Sequence, residues 1–227
     1  EDPHGEPTGT AYELMKAQLY AHVRTLKNIQ SVERKIEAKR TMLGDFEAYL
    51  DGVLQADAGG QDVVVGTLLV WHIDVGNFAQ ALALAEYALR HAVALPDQYQ
   101  RTLPTLLLDE VSEAAIAGKL TGPDALAYLA KVDMLTQDHD AHDQARAKLH
   151  KAIGWACMGK TSTNDADPKD LPPDVAALAL KHLRRAMELN DKVGVKKDIE
   201  RLERAVDQIK KADSTPNDGG PDKGASA

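Results

Sequence analysis

Apolar positions recur three and four residues apart along most of this chain, most densely from Asp62 to Pro96. That stretch predicts two helices joined by a tight turn at Asp74-Val75-Gly76-Asn77. The first half sets Val63, Val64, Thr67, Leu68, Val70 and Trp71 at helical spacing and leaves few polar positions for water. The second half carries Phe78, Ala81, Leu82, Ala85, Leu89 and Ala92. Stripes of this kind must bury against a neighbour. Gly76 suits the left-handed residue that closes a helix, and Asn77 suits the N-cap of the next. Pro96 is expected to end the second helix, since proline breaks the backbone ladder and restricts the residue before it. Small side chains at Ala81, Ala85 and Ala88 let the paired helix approach closely, so the stretch reads as an antiparallel helical hairpin.

Toward the N-terminus, Tyr12 to Leu43 contains neither glycine nor proline and predicts one long helix. Tyr12, Leu19 and Leu26 fall seven apart, as do Met15, His22, Ile29, Ile36 and Leu43. Together they trace a coiled-coil-like seam interrupted by His22, Glu33 and Arg40. So narrow a seam suits association between helices better than burial in a globular core. Leu19, Leu26, Ile29 and Ile36 are therefore expected to serve oligomerisation. Gly44 ends this helix, Asp45 caps a shorter one over Phe46 to Leu54, and Gly59-Gly60 is expected to act as a flexible joint.

Beyond Pro96 the pattern predicts helices from Thr105 to Ala117, from Pro123 to about Leu135, from Gln144 to Met158, from Val175 to Asn190 and from Val195 to Lys211. A long loop with Pro168, Pro172 and Pro173 separates the third of these from the fourth. The hairpins Val63 to Ala94 and Gln144 to Asn190 share alanine-rich second helices, the texture of tetratricopeptide-type repeats with irregular spacing. The expected architecture is all-α. It comprises disordered residues 1–10, a basic helical arm over 11–58, a helical-repeat body over 59–211 and a disordered tail over 212–227.

Composition supports helix over strand, because aromatics make up only 4% of the residues while alanine and leucine dominate the apolar set. No run alternates cleanly enough for a sheet. The single cysteine, Cys157, has no partner for an internal disulfide, which favours a reducing compartment. No stretch approaches the roughly 20 apolar residues of a membrane span. The opening residues EDPHGEPTGT do not resemble a signal peptide.

Charge changes the picture more. The net charge of −8 argues against a general nucleic-acid coat, but it conceals an asymmetry. From Tyr12 to Leu43 seven bases face three acids, so this segment carries +4 and the remainder carries −12. A basic arm on an acidic body can bind a polyanion locally. Arg24, Lys27, Lys35 and Lys39 have no acid three or four residues away, so intrahelical pairing does not account for them. With Arg34 and Arg40 they form the expected DNA-binding set.

Candidate chemistry is sparse. Gly154 to Thr161 (GWACMGKT) has the spacing of a phosphate-binding loop, but that motif needs a preceding strand and a helix opening at the lysine. Here a helical pattern precedes it and a proline-rich polar stretch follows, so a helix ending at Gly159 is the better reading. His139 and His142 lie among aspartates in a polar connector and match no closed metal-site spacing. His72 reads as a helix-surface histidine and Cys157 as core. Nothing here assigns a catalytic residue, a metal or a cofactor, and nothing establishes an enzyme.

Several motifs in a fixed order carry a resemblance over about Ala11 to Lys211. They are AYELM with RTLK, DGVL with GGQD, LLVWHIDVGNFAQALALAEYALRHA, RAKLHKAIGW and GVKKDIERLER. The string resembles the small terminase subunit of temperate tailed phages that package DNA with cohesive ends. It departs in the loop Thr161 to Pro173, which looks inserted, and in a tail without a strongly basic end. The resemblance implies recognition of the packaging site on concatemeric double-stranded viral DNA in the cytoplasm of the bacterial host. It implies a homo-oligomer, commonly a ring, that recruits the large terminase subunit holding the ATPase motor and the nuclease. Family members are also described as endonuclease components acting at the cohesive-end site. With no carboxylate cluster of metal-site character in this sequence, cutting is assigned to the complex. Contact with the large subunit near the C-terminus points to Lys196, Lys197, Arg201 and Arg204. The alternative from another class is a non-viral helical-repeat scaffold that binds a protein or peptide. A salt-dependent affinity for duplex DNA separates the two.

Overall fold

The computed structural model describes residue 5, residues 9–97 and residues 99–213, with side chains placed to Gln208. Among these residues all regular structure is helical. The α-helices in chain order are α1 (Thr10–Lys27), α2 (Val32–Leu43), α3 (Glu47–Ala56), α4 (Val63–Asp74), α5 (Phe78–Arg90), α6 (Leu103–Ile116), α7 (Gly122–Thr136), α8 (Asp143–Met158), α9 (Pro173–Leu189) and α10 (Lys196–Asp213). Short 3-10 turns precede α3 and α9. No described helix is long and apolar enough to cross a membrane.

Helix α4 is the hub of the N-terminal half, and every residue from Val64 to Ile73 is buried. Asp62 starts it by accepting hydrogen bonds from the N–H groups of Val64 at 2.8 Å and Val65 at 3.0 Å. That cap satisfies two of the donors a helix start leaves over. The Tyr49 hydroxyl of α3 also donates to Asp62, which fixes α3 beside the start of α4. Helices α1, α2 and α5 pack against α4, α7 lies against α5, and α6 to α10 continue as a stack of neighbouring helices. One hydrophobic cluster runs from Tyr12 through Phe46, Leu68, Leu107 and Leu149 to Leu202, so the expected arm and body share a core.

The long N-terminal helix is interrupted. Asn28 closes α1 with its N–H directed to the Thr25 carbonyl at 3.1 Å, and the Ser31 hydroxyl accepts from Arg34 N–H to open α2. Short polar side chains that compete for backbone groups favour such a boundary over a continuous helix. The break lets both pieces pack on α4. Tyr12, Leu19 and Leu26 are then 3%, 1% and 7% exposed, so most of the expected intermolecular seam is buried within one copy. Ile29 and Ile36 are half-buried.

Other expectations shift for local reasons. Helix α5 ends at Arg90, six residues before Pro96, because Ala92 turns left-handed (φ 51°) and Val93 N–H returns to the Ala88 carbonyl at 2.8 Å. The chain then crosses α4 at Gly66, where a Cβ would stand 2.8 Å from the Ala94 carbonyl oxygen. Gly59-Gly60 is a packed turn. Gly60 is buried, and a Cβ on Gly59 would meet His91 Nδ1 at 2.9 Å. His72 is 4% exposed, because α4 is covered on all sides. Disorder expected at 1–10 meets ordered structure where it can be compared: Thr10 opens α1, and the Gly5 carbonyl accepts from Gln61 N–H at 2.9 Å. The rest of that expectation, and the tail beyond Asp213, lies outside the described residues.

Candidate nucleic-acid interface

A four-residue turn, Asn28 to Ser31, joins α1 to α2, and the basic residues divide around it. Arg24 and Lys27 occupy the last turn of α1, and Arg34 and Lys35 the first turns of α2. Arg24, Lys27 and Arg34 are exposed and Lys35 is half-exposed, and none forms an ion pair with a described residue. Lys39 and Arg40 differ. The Lys39 ammonium pairs with Asp74 and lies 5.8 Å from the centre of the Trp71 ring, while Arg40 pairs with Glu37.

Helix dipoles sharpen this division. Arg24 and Lys27 offset the negative C-terminal end of α1, which accounts for part of their placement. Arg34 and Lys35 stand at the positive end of α2, where a cation is disfavoured by about 0.3–1 kcal/mol. Glu33 relieves this in part, leaving +3 over residues 24–35. A helix start flanked by unpaired cations attracts phosphate. Asn28 and Gln30 are exposed within the same turn. They were not singled out from sequence, although amides between bases at a helix boundary are suited to reading base edges. Val32 stands beside them at 70% exposure.

The C-terminal set divides as well. Lys196 and Lys197 are exposed at the start of α10 and make no ion pair with a described residue. The Arg201 guanidinium donates to both oxygens of Asp165, at 3.0 and 2.9 Å, and to the Ala166 carbonyl at 2.8 Å. It also holds the Asp165 carboxyl below the usual carboxylate range. Arg201 therefore ties down the long loop between α8 and α9. Arg204 donates from Nε to the Glu200 carbonyl at 3.0 Å.

The loop-like string Gly154 to Thr161 has a structural use. Gly154 to Met158 lie inside α8, and a Cβ on Gly154 would fall 2.4 Å from Leu183 Cδ2 of α9. The glycine is there for helix packing, and N–H groups within a helix do not cradle phosphate. Gly159 ends α8 in the left-handed conformation (φ 68°). Lys160 Nζ lies 2.6 Å from Asp198 Oδ1, and Trp155 Nε1 donates to Asp198 Oδ2 at 2.9 Å.

Among the described residues no group of three or more histidine, cysteine, aspartate or glutamate side chains converges as a metal site. His139 and His142 are exposed in the connector before α8. A cleft of about 750 Å³ lies between α2, the α4–α5 turn, α6 and α7. Ile36, Phe78 and Tyr128 line it together with Arg40, Asp74, Glu110, Glu113, Lys119 and Asp124, a lining of mixed charge.

The family model described as phage small terminase subunit matches residues 16–144, more than half of the chain. The chain belongs to the phage small terminase subunit family. It is 39% identical over 198 residues to the "Terminase, endonuclease subunit" of Escherichia phage P2, covering 87% of this chain and 75% of the relative. It is 25% identical over 210 residues to the "Probable terminase, endonuclease subunit" of Haemophilus phage HP1 (strain HP1c1), covering 90% and 73%. No solved structure matches. These matches set the non-viral scaffold aside. Within this terminase subunit the family match contains most of α1 and all of α2 to α7, and so includes the basic corner and the cleft. Helices α9 and α10 and the string at Gly154 lie beyond it.

Proposed function

We propose that this terminase subunit recognises the packaging site on double-stranded viral DNA through the α1–α2 corner, and recruits the large terminase subunit to it. The observation that carries this reading is the set of four unpaired cations, Arg24, Lys27, Arg34 and Lys35, gathered at one helix–turn–helix connection of an acidic chain. Such a connection offers the first turn of its second helix to the major groove, with flanking bases on phosphate. Asn28 and Gln30 are the amides placed to read base edges. Lys39 and Arg40, held in ion pairs, contribute less to DNA than their sequence suggests.

A homo-oligomer, arranged as a ring, would repeat the corner and multiply weak interactions, which suits a protein of net charge −8. Lys196 and Lys197 at the start of α10 form the surface assigned to the large subunit. The two relatives are named as endonuclease subunits, and cutting is assigned to the assembled complex in the cytoplasm of the bacterial host. The test is the affinity of the full chain for duplex DNA carrying the packaging site, measured across salt concentration. Log affinity should fall linearly with log salt as phosphate counterions are released. Absence of binding, or affinity indifferent to salt, overturns the proposal.

A further inference from the structure

Helices α1 and α9 each keep an exposed apolar face, at opposite ends of the run of packed helices. Helix α1 packs on α4 and α2, and its other side presents Glu13, Leu14, Ala17 and Tyr20, all exposed. Helix α9 packs on α8 and α10, and its other side presents Asp174, Ala177, Leu178 and Lys181, all exposed. Leu14 (65%), Tyr20 (50%) and Leu178 (44%) are three of the five large hydrophobic side chains exposed among the described residues, so most of that exposure falls on these two faces. Glu13, Asp174 and Lys181 form no ion pair with a described residue.

We propose that the α1 face of one copy of this chain docks antiparallel on the α9 face of the next copy, head to tail. This rests on the homo-oligomer reading above and moves the contact off the buried seam. Each face has an alanine at its centre, Ala17 or Ala177, and a charge four residues away, Glu13 or Lys181. With the helices antiparallel and Ala17 level with Ala177, Glu13 comes level with Lys181. Tyr20, three residues the other way, comes level with Asp174. At 3.6 residues per turn, Leu14 and Leu178 then fall on one side of the contact line, and Tyr20 and Ala177 on the other. Acid meets base, leucine meets leucine, and the alanines let the helices approach closely. Arg24 is one turn beyond Tyr20 and passes the first residue of α9, Pro173. It and Lys27 therefore stay outside the contact and remain available to DNA with Arg34 and Lys35. Because the two faces differ, each copy can hold one neighbour on α1 and another on α9, and such a series forms a ring when the rotation between copies closes.

The experiment is the light-scattering mass of the full chain over a range of concentrations, with the helical signal as a check on folding. Leu14→Asp with Tyr20→Asp on the first face, and Leu178→Asp on the second, should each weaken self-association on the order of tenfold to a hundredfold. Mixed in equal amounts, these two variants should form a one-to-one pair and nothing larger, because each supplies the face that the other lacks. Glu13→Lys should weaken self-association, and adding Lys181→Glu to the same chain should restore it. An oligomeric wild type whose mass is unchanged in either face variant overturns this contact and leaves the homo-oligomer standing. Face variants that stay monomeric when mixed, or a double reversal that restores nothing, overturn the head-to-tail pairing. A wild type that is monomeric at every concentration overturns both the contact and the homo-oligomer.

Discussion

Lys39 of α2 is ion-paired with Asp74 at the end of α4, with its ammonium 5.8 Å from the centre of the Trp71 ring. The pair spans 35 residues of sequence and fastens the basic arm to the central helix. A residue assigned to DNA on charge alone therefore has a structural partner. Lys39→Ala should lower stability by about 1 kcal/mol, the range of a partly shielded ion pair with an aromatic neighbour. It should leave the salt dependence of DNA binding close to that of the wild type. Thermal melts and salt titrations of the one variant check both statements.

Lys160 offers a second separation of structure from motif. Its ammonium compensates Asp198, which is 4% exposed, so Lys160→Ala leaves a buried carboxylate with the Trp155 N–H and the more distant charge of Lys151. The expected loss is about 2–4 kcal/mol in a denaturant melt. ATP should not stabilise the wild-type chain, since the N–H groups a phosphate loop would use are inside α8. Stabilisation by ATP that disappears in Lys160→Ala would restore the phosphate-loop reading.

Buried imidazoles set the acid side of stability. Burial lowers His72 from 6.5 to about 4, and neither ring nitrogen has a hydrogen-bond partner among the described residues. Burial likewise lowers His150 to about 4, with His182 beside it at 3.0 Å between the two Nδ1 atoms. Below pH 6.5 the unfolded chain takes up protons that the folded chain refuses until about pH 4. The contribution of these two imidazoles is thus full above pH 6.5, falls across that window and levels off below about 4. For His72 alone the fall is on the order of 3 kcal/mol. His72→Leu should make the dependence of melting temperature on pH shallower between 6.5 and 4 without lowering stability at pH 7. An unchanged pH profile would contradict this assignment.

The C-terminal surface separates in the same way as the arm. Lys196→Glu with Lys197→Glu should weaken binding to the large subunit while the melt stays within about 0.5 kcal/mol of wild type. Arg201→Ala should instead loosen the Asp165 loop and appear first as increased hydrogen exchange between α8 and α9. Large-subunit binding that is unchanged in the Lys196/Lys197 variant would remove this surface from the account.

Most of the fold was legible, because period and caps agreed over long stretches. Asn77, Gly159 and the apolar stripes of α4, α5 and α8 each did locally what the structure uses them for. The break at Asn28 to Ser31 was harder to read, since no glycine or proline marks it and a heptad repeat runs through it. Its signal was two short polar side chains three residues apart. His72 read as a surface residue because helical periodicity assigns one outer face, and α4 has none. The candidate site was legible as a segment of charge but not as individual residues. Nothing in sequence distinguishes Lys35 from Lys39, and only the fold brings Asp74 to the second of them.

The most direct test of the DNA interface replaces Arg24, Lys27, Arg34 and Lys35 with alanine and compares duplex binding with wild type across salt. Every phosphate that is no longer neutralised should reduce the slope of log affinity against log salt by about 0.9, so the four substitutions together should remove up to about 3.6. Helical signal and melting temperature should remain near wild type, because all four side chains are at least half-exposed and unpaired. A folded variant that keeps both the affinity and the slope of the wild type would show that the α1–α2 corner does not hold DNA.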